Sequence, residues 1–272
     1  MNILVMGKDK NPDRDLDIED AAATDQRTDT LMLVHIPADR KNVFAISIMR
    51  DTWVDIPGKG EAKINAAMAY GGVALTVQTV ESLFQHRIDH VAMVDFEGFK
   101  GLTDALGGVE VNIKTPFSPS TLPGHTFNTG KQTLNGTEAL AFVRERKSFP
   151  DNDYTRVKNQ QLFLKAVISK TISKETLLNP VTINNMVGAI SPFVSVDKDF
   201  DAATIGSLAF QFKDLRESDT IMFTLPNLGV GTSPDGQSIV VADTAAISEI
   251  GAAIGKDQLG AYVTANNLGS GS

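Results

Sequence analysis

The sequence contains no cysteine, which excludes both disulfides and thiolate metal sites. A cationic excess is missing too: 25 Lys and Arg stand against 33 Asp and Glu, a net charge of -8. Non-specific nucleic-acid binding needs a basic face, so nucleic acid is not an expected partner. No run approaches the roughly 18–20 apolar residues of a membrane span. The chain opens directly on the apolar NILVM, with no charged region before it, so no secretory leader is expected there. The phosphate-cradling GxxxxGK loop, GxGxxG, the GxSxG elbow and HExxH are all absent, which removes the evidence for common nucleotide, serine-hydrolase and zinc-protease readings. His35, His86, His90 and His125 are scattered and read as structural.

What is present is an ordinary globular composition, 42% hydrophobic and 21% charged over 272 residues. Apolar or β-branched runs at 2–6, 30–36, 43–48, 91–96, 109–113, 221–225 and 238–242 predict strands. Several are continuously apolar, as strands covered on both faces are. Helical periodicity falls between them at 73–84, 96–105, 136–142, 154–172, 201–212 and 244–254. Strands alternating with helices predict a layered α/β/α fold around a central mixed β-sheet. Residues 9–26, rich in Asp, and 114–132, rich in Pro, Gly, Ser and Thr, read as long loops, which inside a compact domain are usually functional or disordered. With no repeat and no linker, one domain over 1–266 and a flexible tail over 267–272 are expected.

Within this acidic chain Arg27, Arg50, Arg144, Arg146 and Arg156 stand in short polar motifs: RTDT, IMRD, RER and DNDYTRVKNQQ. Guanidiniums dispersed in sequence but gathered in the fold would form a phosphate clamp, since the planar fork binds phosphate oxygens bidentately and keeps its charge. Each motif also has a plainer reading. Arg27 with Asp29 could be a surface ion pair, and Arg50 with Asp51 a strand-end salt bridge. Arg144 and Arg146 share a face only in extended chain, where two like charges are costly without an anion between them; the alternative is pairing with Glu145 and Glu138. Arg156 and Gln160 are neighbours on one helix face, placed to approach an anion from the favourable end of the helix dipole. Asp9 and Asp29 could hold a hard cation such as Mg²⁺, which takes one or two carboxylates plus phosphates and water. The other carboxylates of 9–26 read as a solvated acidic loop.

Taken together and in order, NILVMGKD, RTDTLMLVHI, SIMRDTWVDIPG, KINAAMAYGG, VDFEGFKGLTDALGGVEVNI, LNGTEALAFVRER, DNDYTRVKNQQ and the late DGQSIVVAD resemble the LytR-CpsA-Psr family of bacterial cell-wall glycopolymer ligases. The pattern departs at Asn159, where the family often has arginine before the paired glutamines, and in a longer acidic loop after Asp9. The resemblance implies an extracytoplasmic enzyme anchored to the cell membrane by an N-terminal helix that this chain lacks. Its donor is a polyprenyl-pyrophosphate-linked glycan, with the lipid in a long apolar pocket between sheet and helices, walled in part by 73–84. The glycan moves with one phosphate to a hydroxyl of peptidoglycan or protein. On this reading Arg27, Arg50, Lys63, Arg144, Arg146, Arg156, Gln160 and Gln161 bind the pyrophosphate. Asp9 and Asp29 hold Mg²⁺, for which Mn²⁺ can substitute, and Asp51 activates the acceptor hydroxyl or orients Arg50. Two alternatives stay open: a polyprenyl-pyrophosphate hydrolase using water, and a non-catalytic polyprenyl-phosphate-binding regulator.

Overall fold

The computed structural model describes residues 1–8, 28–151, 153–171, 181, 185, 188–189, 191–212 and 215–269. In chain order these begin with β1 (Asn2–Lys8), β2 (Thr28–His35), β3 (Val43–Ile48), β4 (Thr52–Ile56), β5 (Gly60–Lys63), α1 (Ala66–Phe84) and β6 (His90–Asp95). There follow α2 (Phe96–Ala105), β7 (Val109–Ile113), β8 (Gly130–Leu134), α3 (Gly136–Arg144), α4 (Asp153–Thr171), β9 (Ser195–Val196) and α5 (Ala202–Gln211). The chain continues through β10 (Thr220–Thr224), β11 (Asn227–Thr232), β12 (Ser238–Ala242), α6 (Thr244–Gly255) and α7 (Leu259–Ala265). The α/β class expected from the alternating pattern is present. Among the described residues no helix is long and apolar enough to cross a membrane.

Two compact units are assembled from interleaved segments. The first takes Met1–Val94, Ser195–Asp201 and Ile221–Gly271; the second takes chiefly Asp95–Val194 and Ala202–Thr220. The first holds a six-stranded sheet in the order β10-β3-β2-β1-β6-β9 and a four-stranded sheet in the order β11-β12-β4-β5. The four-stranded sheet is mixed, because β12 pairs parallel with β4 while β11–β12 and β4–β5 are antiparallel. Every residue of β3 is buried, as its uninterrupted apolar run requires. Leu4, Met6, Phe44, Ile46, Ile56, Ile64 and Phe84 form the centre of this core. The second unit has a separate core in which Phe117, Phe127, Phe142 and Phe149 meet.

α1 begins earlier than the 73–84 expected, but the continuity is broken at Gly71 and Gly72. Gly72 has φ 64 and ψ -154, a combination essentially restricted to glycine. The helical rise restarts at Val73, the start expected from the sequence. The loop expected over 114–132 is shorter and more ordered than its composition implies. Phe117 and Phe127 bridge across it, and its end is already β8, antiparallel to β7. The acidic stretch 9–26 lies outside the described residues.

Candidate active site

In the first unit the chain leaves the buried β3 and turns sharply. The Thr52 amide and hydroxyl both donate to the Met49 carbonyl, at 2.9 and 2.6 Å. The intervening residues are tied on both sides: Asn65 donates its backbone N–H to Arg50 O at 3.2 Å, and Val240 donates to Asp51 O at 2.9 Å. Lys63 arrives at the end of β5 as the cross-strand partner of Trp53. Asp51 therefore stands between two cations, with Oδ2 3.7 Å from Arg50 Nε and Oδ1 3.4 Å from Lys63 Nζ. All three side chains are about one-fifth exposed, so the cluster is neither fully solvated nor sealed.

In the second unit, Asn135 and Glu138 start α3 with a reciprocal capping box. At the other end the α3 carbonyls of Phe142 and Val143 accept from Asn159 Nδ2 and Gln160 Nε2 of α4, at 3.4 and 3.3 Å. These bonds satisfy acceptors that a helix terminus leaves open. Gln160, expected to meet a phosphate oxygen, thus has an amide proton committed to α3, and Gln161 is buried beside it in α4. Arg144 is the last residue of α3, and its guanidinium lies 3.9 Å over the Phe96 ring. Glu145 is extended, with φ -66 and ψ 132, so the RER tripeptide is neither all helix nor all strand. Arg146 Nη1 and Arg156 Nη2 both approach Asp153, at 3.9 and 3.1 Å. Arg146 is 44% exposed at the side chain, whereas Arg156 is 7% exposed.

Neither Glu145 nor Glu138 is the arginine partner offered as the plainer reading of RER; Glu138 belongs to the helix cap. Glu145, 1% exposed, is the residue that sequence reasoning missed. Its Oε2 accepts from the Ser120 backbone and hydroxyl at 2.5 and 2.9 Å, and its Oε1 accepts from the Arg146 and Ser148 amides at 3.1 and 2.9 Å. Burial alone would raise this carboxyl, but the donors of Ser120 and Ser148 outweigh it and hold the pKa below the ordinary 4.5. The only signal in sequence was a carboxylate between two arginines; its main partner comes from the long loop, 25 residues away.

Arg27 and Asp9 lie outside the described residues, as does the side chain of Asp29. At the backbone level, β1 pairs Gly7 with Thr30 and Lys8 with Thr28. Residue 29 is therefore the extra residue of a β-bulge, a feature over-represented beside active sites. Among the described residues no group of three or more His, Asp or Glu is gathered as a metal centre.

The LytR_cpsA_psr family model matches residues 1–255. The chain belongs to that family. The polyisoprenyl-teichoic acid–peptidoglycan teichoic acid transferase TagU of Bacillus licheniformis is 33% identical over 225 residues, covering 82% of this chain and 70% of that protein. The cell wall biosynthesis protein LcpA of Corynebacterium glutamicum is 30% identical over 243 residues, covering 79% of this chain and 46% of LcpA. The chain spans about half the length of several curated relatives it matches. Among solved structures, B. subtilis TagV superposes with a TM-score of 0.78 at 28% identity, covering 95% of this chain and 96% of that one. TagT bound to LI-WTA superposes with a TM-score of 0.71 at 26% identity, covering 96% and 90%.

Proposed function

We propose that this LytR_cpsA_psr chain is a phosphotransferase that moves a glycopolymer, with one phosphate, from a polyprenyl-pyrophosphate carrier to a peptidoglycan hydroxyl. The observation that carries this reading is the gathering of guanidiniums into small clusters within an acidic protein. In the second unit Arg146 and Arg156 both approach Asp153 while Arg144 lies on the Phe96 ring, and Glu145 is held by Ser120 and backbone amides instead of by a guanidinium. In the first unit Arg50 and Lys63 stand against Asp51. Both clusters suit phosphate oxygens, and the names of TagU and of TagT bound to LI-WTA fit a glycan-linked donor.

The acceptor oxygen attacks the phosphorus that bears the glycan. The bond from that phosphorus to the bridging oxygen breaks, polyprenyl phosphate leaves, and the hydroxyl proton passes to a base. Arg144 and Arg146 offset charge growing on the phosphoryl oxygens, a term realised mostly in the transition state. Arg27 and Arg156 are assigned to ground-state pyrophosphate binding, with Gln160 and Gln161 in support. Asp51 lies against Arg50 and Lys63, which favours its reading as the residue that orients them over its reading as the base. Asp9 and Asp29 are assigned to Mg²⁺; the bulge at residue 29 and the hard oxygen donors fit that ion. When bound, the ion would neutralise phosphate charge and ease departure of the leaving group. The apolar pocket for the lipid, the anchoring helix and the extracytoplasmic location belong to this same proposal.

The test is incubation of the protein with a labelled polyprenyl-pyrophosphate-linked glycan and peptidoglycan. Label on peptidoglycan with release of polyprenyl phosphate is the expected result. Phosphate release without transfer would replace it with the hydrolase reading, and tight lipid binding without turnover with that of a regulator.

A further inference from the structure

Beside the Arg50–Asp51–Lys63 cluster, and distinct from it, the first unit carries a cavity of about 600 Å³. Its floor is β4 and β5; its walls are the C-terminal end of α1 and the face of α6. The base is closed by a tight helix approach. His86 Nε2 is 2.6 Å from the Gly251 carbonyl oxygen, and a Cβ on Gly251 would meet Phe84 O at 2.3 Å. The volume lies within the range of small-ligand sites, about 300–1,000 Å³.

The lining chemistry is specific. Trp53, the one tryptophan of the chain, is half-buried in it. Asp55 lies two residues on, hence on the same face of β4, and Glu61 is its direct cross-strand neighbour. Both carboxylates are exposed, and neither has a hydrogen-bond or ion-pair partner among the described residues. Lys63, two residues from Glu61 on the same face, is turned to Asp51 instead, so both carboxylates face the groove and solvent. Thr244, Ser248 and Gln85 add neutral donors and acceptors on the opposite walls. A flat aromatic flanked by unpaired carboxylates, hydroxyls and an amide suits a ligand with an apolar C–H face and a rim of hydroxyl donors. That ligand is a saccharide. Two unpaired carboxylates repel a phosphate-rich glycopolymer, so a neutral sugar chain is favoured over an anionic one.

The location adds a second argument. Lys63, which reaches Asp51 at 3.4 Å, is the register partner of Trp53. Directly opposed residues of an antiparallel pair have Cβ atoms about 4.5–5.5 Å apart, so a pyranose seated on Trp53 lies beside Lys63. We infer that the Trp53–Asp55–Glu61 groove binds the neutral glycan strand that supplies the acceptor hydroxyl. The role of that strand as acceptor rests on the transferase reading; the saccharide binding itself does not.

Because Trp53 is the sole tryptophan, its fluorescence reports this groove alone. Titration with a tetramer of N-acetylglucosamine should give a saturable change. Asp55→Asn with Glu61→Gln, both exposed and so compatible with folding, should weaken binding about tenfold. By calorimetry Trp53→Ala should bind at least tenfold more weakly than Trp53→Phe. With labelled donor, the variants should raise the KM for peptidoglycan and leave the KM for donor unchanged. Arg144→Ala/Arg146→Ala should abolish transfer yet keep the fluorescence titration. An absent fluorescence response overturns the groove, as does wild-type affinity in Trp53→Ala. A rise confined to donor KM, or preference for an anionic glycopolymer, overturns its assignment to the acceptor. Normal saccharide binding by a protein with no transferase activity supports the groove while refuting the transferase reading.

Discussion

Glu145 holds Ser120 by both its amide and its hydroxyl, and this one carboxylate sets the direction of the arginines on either side of it. Its backbone stops α3 at Arg144, leaving that guanidinium on Phe96 and turning Arg146 toward Asp153. Replacing it with glutamine puts an amide nitrogen among N–H donors. A hydrogen bond to a charged group contributes about 1.5–3 kcal/mol. Glu145→Gln should therefore lower Tm by several degrees and reduce transfer about tenfold or more, although Glu145 touches no substrate. A melting curve and a turnover assay on the same preparation check both.

The two kinds of arginine should separate by stability. Arg146 is 44% exposed with one long ion contact, a kind of contact worth little to the fold. Arg146→Ala should melt like wild type and lose about tenfold or more in kcat/KM, the equivalent of one or two charge-assisted bonds. Arg156 is 7% exposed and paired to Asp153 at 3.1 Å. Arg156→Ala should lose activity and also stability, since it removes a cation 3.1 Å from a partly buried carboxylate. Circular dichroism melts beside kinetics would show the contrast.

Metal dependence has a direct test. If Asp29 holds Mg²⁺, EDTA should suppress transfer, with Mg²⁺ or Mn²⁺ restoring it. Asp29→Asn should behave as the metal-free protein does. Full activity in EDTA would leave Asp29 as a partner of Arg27 only.

His35 predicts a pH dependence of stability. Burial lowers its pKa from 6.5 to about 4, and Nδ1 lies 2.8 Å from Asn2 Oδ1. The unfolded chain takes up a proton near 6.5 while the folded one stays neutral. Stability is thus complete above that value and falls as pH drops toward 4. The full effect is about 3 kcal/mol by linkage. Chemical denaturation at pH 7.5 and pH 4.5 should show the loss, and His35→Gln should flatten that part of the profile.

The sequence by itself determined the α/β class, most of the long elements and the family. Apolar runs such as VFAISI and helical periodicity over 154–172 are strong local signals, because burial on two faces, or along one stripe, leaves few alternatives. It also singled out Arg27, Arg50, Arg144, Arg146 and Arg156 as a set, because several guanidiniums in polar motifs are unusual in an acidic chain. It did not disclose β4, β5, β8, β9 or β11, which are short and whose pairing energy comes largely from distant strands: Val241 of β12 lies beside Trp53, for example. Only the tertiary structure decided which carboxylates the cations meet. Ion pairing and hydrogen bonding depend on distance in space, so Glu145 passed over two adjacent arginines for Ser120, and Asp153 gathered Arg146 and Arg156. The groove beneath Trp53 belongs to the same category. Its wall, α6, follows the floor strand by almost 190 residues, a separation no local pattern reports.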